Sequence, residues 1–297
     1  MRLPTRVLRT RLLASTVAAL AVSVTVTAVP SAAAPSAAAP APAVAAAAGA
    51  QKVSVPSYFY PGATWDRLIQ SGGTVGLTVA NPNNGPHTDA PSRDAYLATL
   101  RKADAAGVRV IGYVPTGYLG TTGMTTRTGS TDPTAWMTQI KADIDTWYSL
   151  YGGAGLDGVF LDEGLAQCGT NNVNADRYRQ LRDHIEAKGD EIVVANPGTG
   201  TQECFKDTAD TLVTFEGTAD TYQGHRPQAW EAGVPADRIW HLVHATPQSR
   251  LAETVRLSKE RNAGHVYVTD DVLDNPWDQL PPAGYWQSLL DQAGRSA

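Results

Sequence analysis

The chain has 297 residues, is 42% hydrophobic and 18% charged, and carries a formal net charge of -5. That balance fits a globular domain, and an acidic surface argues against nucleic acid as a partner while suiting a neutral or cationic polymer.

Residues 1–34 read as a secretory signal peptide. Arg2, Arg6, Arg9 and Arg11 form its basic end, Leu12 to Val29 its apolar body, and Ala32-Ala33-Ala34 a small-residue cleavage site. Ser15, Thr16, Ser23, Thr25 and Thr27 dilute the apolar run, which favours cleavage over retention as a membrane anchor. Residues 35–50 form an Ala/Pro-rich linker that cannot bury a core. A single folded domain over residues 51–297 is expected, exported to the extracellular medium as a monomer without membrane insertion. Cleavage removes four arginines and no acid, so the formal charge moves from -5 to about -9.

Eight short apolar runs follow in order: Ser54 to Tyr60, Thr74 to Ala80, Arg109 to Pro115, Leu156 to Asp162, Glu191 to Asn196, Thr211 to Glu216, Arg238 to His244 and His265 to Thr269. Between them lie segments with helical spacing, such as Tyr96, Leu97, Leu100 and Ala103, then Ile140, Ile144, Trp147 and Tyr151, then Tyr178, Leu181 and Ile185. Asp132-Pro133 and Ser92 are start signals, and Gly107, Gly189 and Gly264 are stop signals. The helices after the fifth and sixth strands look short. Strict alternation over about 250 residues predicts an α/β fold, a single-domain (β/α)8 TIM-type barrel.

In such a barrel the reacting groups sit at the carboxyl ends of the strands, so these ends can be read as a list of pocket residues. Asp162 and Glu216 each end an apolar strand with a glycine two residues or one residue further on, and they are the candidate catalytic acids together with Glu163. Alternation along a strand turns Glu163 away from Asp162 unless the turn at Gly164 brings it back. Tyr58, Tyr60 and Tyr113 offer stacking faces or plain barrel-top packing. Asn81 and Asn196 offer amides, His244 could orient a carboxylate or line the pocket, and Asp270 and Asp271 could bind an amine or a hydroxyl. Asp157, at the other end of its strand, reads as a stability residue, and Trp65, Trp147 and Trp240 read as core. Lys and Arg are nearly absent from this rim and there is no Walker-type loop, so neither a phosphate nor a dinucleotide ligand is expected, and no cofactor is expected.

Cys168 and Cys204 are an even pair in an exported chain, each following a proposed strand end. A disulfide between neighbouring loops is the expectation, and two isolated cysteines are too few for a metal site.

Together, Val55-Pro56-Ser57-Tyr58-Phe59-Tyr60-Pro61, Val79-Ala80-Asn81-Pro82-Asn83-Asn84-Gly85-Pro86, Gly112-Tyr113-Val114, Gly158-Val159-Phe160-Leu161-Asp162-Glu163, Ala195-Asn196-Pro197-Gly198 and Phe215-Glu216-Gly217 resemble the spherulin-4-like proteins. The resemblance spans Val53 to about Leu290. It implies a secreted, metal-independent glycoside hydrolase that cuts α-1,4-linked galactosamine or N-acetylgalactosamine exopolysaccharide, with Asp162, Glu163 and Glu216 as its acids. An amino-sugar polysaccharide is then the expected partner, its amines drawn to the acidic surface and its N-acetyl groups to Asn81 or Asn196. A non-catalytic polysaccharide-binding matrix protein is the alternative, and a metal-dependent phosphodiesterase barrel would require more basic ligands than the rim supplies.

Overall fold

The structure, a computed structural model, describes residues 49–296. The expected signal peptide and nearly all of the linker lie outside the described residues. Eight parallel strands close into a barrel in sequence order: β1 (Lys52–Ser57), β2 (Val75–Ala80), β3 (Arg109–Pro115), β4 (Leu156–Asp162), β5 (Ile192–Ala195), β6 (Thr211–Thr218), β7 (Ile239–His244) and β8 (His265–Val268). Lys52 pairs with His265 and closes the ring. Each strand is covered by helices outside and by its neighbours' side chains inside. This explains why β2 and β7 are buried along their whole length and read as continuous apolar runs.

The helices are α1 (Ala63–Gln70), α2 (Ser92–Ala105), α3 (Pro133–Tyr151), α4 (Val173–Glu186), α5 (Ala219–Gly224), α6 (Leu251–Glu260) and α7 (Ala283–Ala293). Asp132 caps α3 as the Asp-Pro pair predicts, accepting from the amides of Thr134 and Ala135. Ser92 opens α2 without acting as its cap. The predicted weak units are short indeed. Only a 3₁₀ turn, Glu203–Phe205, stands between β5 and β6, and α5 has six residues. Among the described residues no helix is long and apolar enough to cross a membrane.

The ends of β1 and β6 differ most from expectation. β1 stops at Ser57, which leaves Tyr58 and Tyr60 in the loop above it. β6 runs on past Glu216, because Gly217 and Thr218 continue the pairing with Val243 and His244 before Thr218 caps α5. Glu216 therefore sits within the strand. The glycines of Gly153-Ala154-Gly155-Leu156-Asp157-Gly158 have the spacing of a dinucleotide loop, yet this segment leads into β4 and does not join a strand to a helix.

Tyr113, Phe160 and Trp240 pack in sequence through the barrel interior, with ring centroids 6.3 and 5.7 Å apart. Trp65 and Trp147 are fully buried outside it, and their indoles donate to the carbonyls of Phe59 and Tyr113. On β6 the register with β7 shifts between Val213 and Phe215, which makes Thr214 the extra residue of a bulge. Its hydroxyl lies 2.9 Å from the fully buried Glu231 carboxylate and 3.2 Å from His241 Nε2, and His241 Nδ1 lies 2.7 Å from the Tyr222 hydroxyl.

The Cys168–Cys204 disulfide joins the loops after β4 and β5 across a Cα–Cα distance of 6.0 Å. Neighbouring strands place those loops side by side, as the sequence order predicts.

Candidate active site

The carboxyl ends of β4, β5 and β6 bring Asp162, Asn196 and Glu216 together. Asn196 follows β5 directly and is buried, and its side-chain nitrogen donates one hydrogen to Asp162 Oδ1 at 2.7 Å and the other to Glu216 Oε2 at 2.8 Å. Its oxygen accepts from the Gly198 amide at 2.8 Å, which fixes the orientation of the amide group. Because both carboxylate oxygens hang on one nitrogen, they are no more than about 5.5 Å apart.

Asp162 is pushed above the ordinary carboxylate range by burial, against the pull of the Tyr113 hydroxyl, the Glu163 amide and Asn196. Glu216 is raised by burial and then by the charge of Asp162, with Asn196 and Trp277 opposing. Trp277 Nε1 donates to Glu216 Oε1 at 3.2 Å, so both oxygens of this acid are held.

Glu163 lies just beyond β4 and takes a left-handed backbone, φ 54°. The turn anticipated at Gly164 is made one residue earlier. It brings the Glu163 carboxylate to the Gly117 amide, 3.2 Å away on the loop after β3. Burial and the neighbouring Asp162 charge both raise this acid. Three carboxyls thus share one mouth, and each is shifted toward its protonated form.

The remaining predicted residues divide. Tyr113 is buried and bonded to Asp162, and Tyr58 meets it edge-on with centroids 5.4 Å apart. Burial and the acids keep both phenols protonated. His244 is buried and neutral, its ring edge-on to Trp277 at 6.0 Å, so it contacts the cluster through that indole.

Asn81 turns its oxygen back to the Gly85 amide, and Tyr60 is 57% exposed against Tyr96. Asp270 and Asp271 are not joined to the acids. Asp271 accepts from Gln279 and from the Val272 amide, both at 2.8 Å, and so knits its own loop together, while Asp270 is exposed beside it. Asn196 was expected to serve an N-acetyl group, but both its donors are spent on carboxylates. Its role in this geometry is to hold the two acids.

Trp277 and Tyr118 escaped the sequence reading. Trp277 stands in the long stretch between β8 and α7, where no periodicity marks it; a lone Trp in an Asp- and Pro-rich loop after the last strand was the available signal. A cavity of about 840 Å³ opens at the amino end of the strands, lined by Arg109, Asp157, Arg238 and His265 among others. It mixes both charges, and Asp157 there accepts from the Val110 amide at 2.7 Å, a structural contact far from the acid cluster. Among the described residues no group of His, Cys, Asp and Glu is arranged to hold a metal ion.

The profile of spherulation-specific family 4 matches residues 52–293. Spherulin-4 of Physarum polycephalum is 28% identical over 230 residues, which cover 74% of this chain; the match spans 63% of the length of that relative. Among solved structures, Aspergillus clavatus Sph3 in complex with GalNAc superposes with a TM-score of 0.65 at 25% identity, covering 83% of this chain and 98% of the other.

Proposed function

From the premise that the chain belongs to spherulation-specific family 4, we propose that it is a secreted glycoside hydrolase acting on α-1,4-linked galactosamine or N-acetylgalactosamine polysaccharide. The observation that carries this reading is the Asn196 amide spanning Asp162 and Glu216. The facing oxygens of two carboxyls with raised proton affinity lie within about 5.5 Å of each other, which suits the close pair of a retaining glycosidase better than the separation of about 6.5–9.5 Å that inversion uses to admit a water. The GalNAc bound in the related Sph3 structure supports the amino-sugar class. The basic and apolar segment over residues 1–34 supports export.

The environments divide the labour. Asp162 receives the Tyr113 hydroxyl, the Glu163 amide and the Asn196 amide, donors that favour its charged form. Burial raises both acids; Glu216 receives two donors, Asn196 and Trp277, where Asp162 receives three, and it also feels the Asp162 charge, which favours its neutral form. Glu216 is therefore the proton donor to the leaving oxygen, and Asp162 the nucleophile. Asp162 attacks the anomeric carbon as the glycosidic bond breaks, and the departing oxygen takes the Glu216 proton. Water then gives a proton back to Glu216 and displaces Asp162. Glu163, held by Gly117, adds acceptor capacity for an amine or a hydroxyl of the sugar.

The test is digestion of defined α-1,4-linked galactosamine and N-acetylgalactosamine oligomers, with products identified by mass spectrometry and their first-formed anomer by proton NMR. Shorter oligomers released as the α-anomer are expected. Release of the β-anomer would refute the retaining assignment, and no release at all would refute the hydrolase reading.

A further inference from the structure

The loop after β3 contains a backbone feature that the proposed chemistry does not account for. Gly117, Tyr118, Leu119 and Gly120 are all left-handed, with φ of 52°, 48°, 50° and 77°. Glycine accepts this conformation freely, but a tyrosine and a leucine do not. Such strain persists where the surroundings dictate it, and it gathers at ligand sites.

The surroundings are firm here. A Cβ on Gly117 would lie 2.2 Å from the Trp136 ring, and one on Gly120 would lie 2.0 Å from the Thr131 carbonyl, so the backbone is pressed against α3 and the segment leading into it. On its other side the turn is bolted to the acids. The Gly117 amide meets the Glu163 carboxylate, the Tyr118 amide donates to the Glu163 carbonyl at 2.8 Å, and the Thr116 hydroxyl lies 2.8 Å from the carbonyls of Asp162 and Glu163. Tyr118 and Glu163 are thereby one rigid unit.

The supply of hydrogens around the acids is nearly exhausted. Asn196 gives both amide hydrogens, Trp277 its indole hydrogen and Tyr113 its hydroxyl, all to carboxylates. Carboxylates serve a sugar's amine and hydroxyl hydrogens well, but they repel a carbonyl oxygen. Tyr118 is half-buried, and among the described residues its hydroxyl has no hydrogen-bond partner. Burial and the charges of Asp162, Glu163 and Glu216 keep that hydroxyl protonated.

We propose that Tyr118 is a specificity-determining residue whose hydroxyl donates to the N-acyl carbonyl of the substrate, and that the left-handed turn exists to present it beside Glu163. The assignment rests on the glycosidase reading above. Tyr118 admits the acylated sugar to a mouth that would otherwise favour the free amine.

The experiment compares kcat/KM of the full exported protein, Tyr118→Phe and Tyr58→Phe on matched N-acetylated and free-amine α-1,4-galactosamine oligomers. Tyr58 is the control because its phenol also lacks a partner among the described residues but stands against Tyr113. Loss of one neutral hydrogen bond predicts a fall of about 10-fold for Tyr118→Phe on the acetylated oligomers, through KM, at least about five times the fall on the free amines. Tyr118→Asn, a residue at home in the left-handed region, should show the same selectivity shift if the Phe variant folds poorly. Equal losses on both series, no loss on either, or a selective loss confined to Tyr58→Phe would overturn the assignment while leaving the glycosidase reading intact. A parent inactive on both series would overturn the two together.

Discussion

Replacing Asn196 by alanine tests the arrangement on which the proposed chemistry depends. In the parent the amide gives one hydrogen to Asp162 at 2.7 Å and one to Glu216 at 2.8 Å, and both bonds favour the ionised carboxylates. A hydrogen bond to a charged group is worth about 1.5–3 kcal/mol. One pKa unit corresponds to about 1.4 kcal/mol, so each acid should rise by about 1 to 2 units when its bond is lost. Activity needs one carboxyl charged and the other protonated, so both limbs of the bell-shaped profile belong to the pair and both should move. The sign is upward for each, because only the charged forms lose a partner. The profile of kcat/KM against pH on an amino-sugar oligomer should shift to higher pH by about 1 to 2 units, with reduced height as the acids lose their spacing. The variant also strands the Gly198 amide, so its fold is checked by circular dichroism. A folded variant whose acid limb stays where it was would refute the idea that Asn196 holds the two charges.

Other outcomes follow from named contacts. Asp162→Asn and Glu216→Gln should each lower turnover by at least about 100-fold with the fold intact, since each removes proton transfer or attack but keeps shape; Glu163→Gln should be impaired, while Asp157→Asn at the other end of β4 should keep most of its activity. Turnover assays on an oligomer that the parent degrades decide this. Replacing Cys168 and Cys204 by serine opens a loop with a sequence separation of 36 and should cost about 4 kcal/mol on the chain-entropy model, read from urea unfolding at equilibrium. Burial lowers His265 to about 4 in the folded chain. The unfolded chain therefore binds its proton first, and this residue's share of stability is full above about pH 6.5 and is lost as pH falls toward 4. His265→Gln should flatten the decline in unfolding free energy over that window by up to about 1.4 kcal/mol per pH unit, and an unchanged slope would contradict it.

The barrel was legible because its physics is local. A strand covered on both sides must be apolar along its buried length, and an acid at its end must face something polar; the run over residues 158–162 satisfies both conditions within a short span. Pairing the Cys168 and Cys204 loops needed only the order of neighbouring strands. What stayed hidden depends on distant parts of the chain. Glu216 lies inside β6 because β7 extends to meet Gly217 and Thr218, and nothing in the six-residue run announces that. Trp277 reaches Glu216 across 61 positions from a loop without a repeat. Asn196 was visible as an amide, but a list of residues does not say that both of its hydrogens are already taken. The same gap separates Asp270 and Asp271 from the acid cluster: the residue type and strand end fit the pattern, and only the side-chain partners show that Asp271 braces its own loop.

The row of contacts behind the β6 bulge has a directional consequence. An ionised Glu231 can only accept, so Thr214 must give it the hydroxyl hydrogen and take one from His241 Nε2; His241 Nδ1 is then bare and accepts from Tyr222. One imidazole tautomer satisfies every atom. The strand that carries Glu216 is thus backed by a row of contacts with one sense of donation, in which the charge state of Glu231 at one end dictates which His241 nitrogen carries the hydrogen at the other.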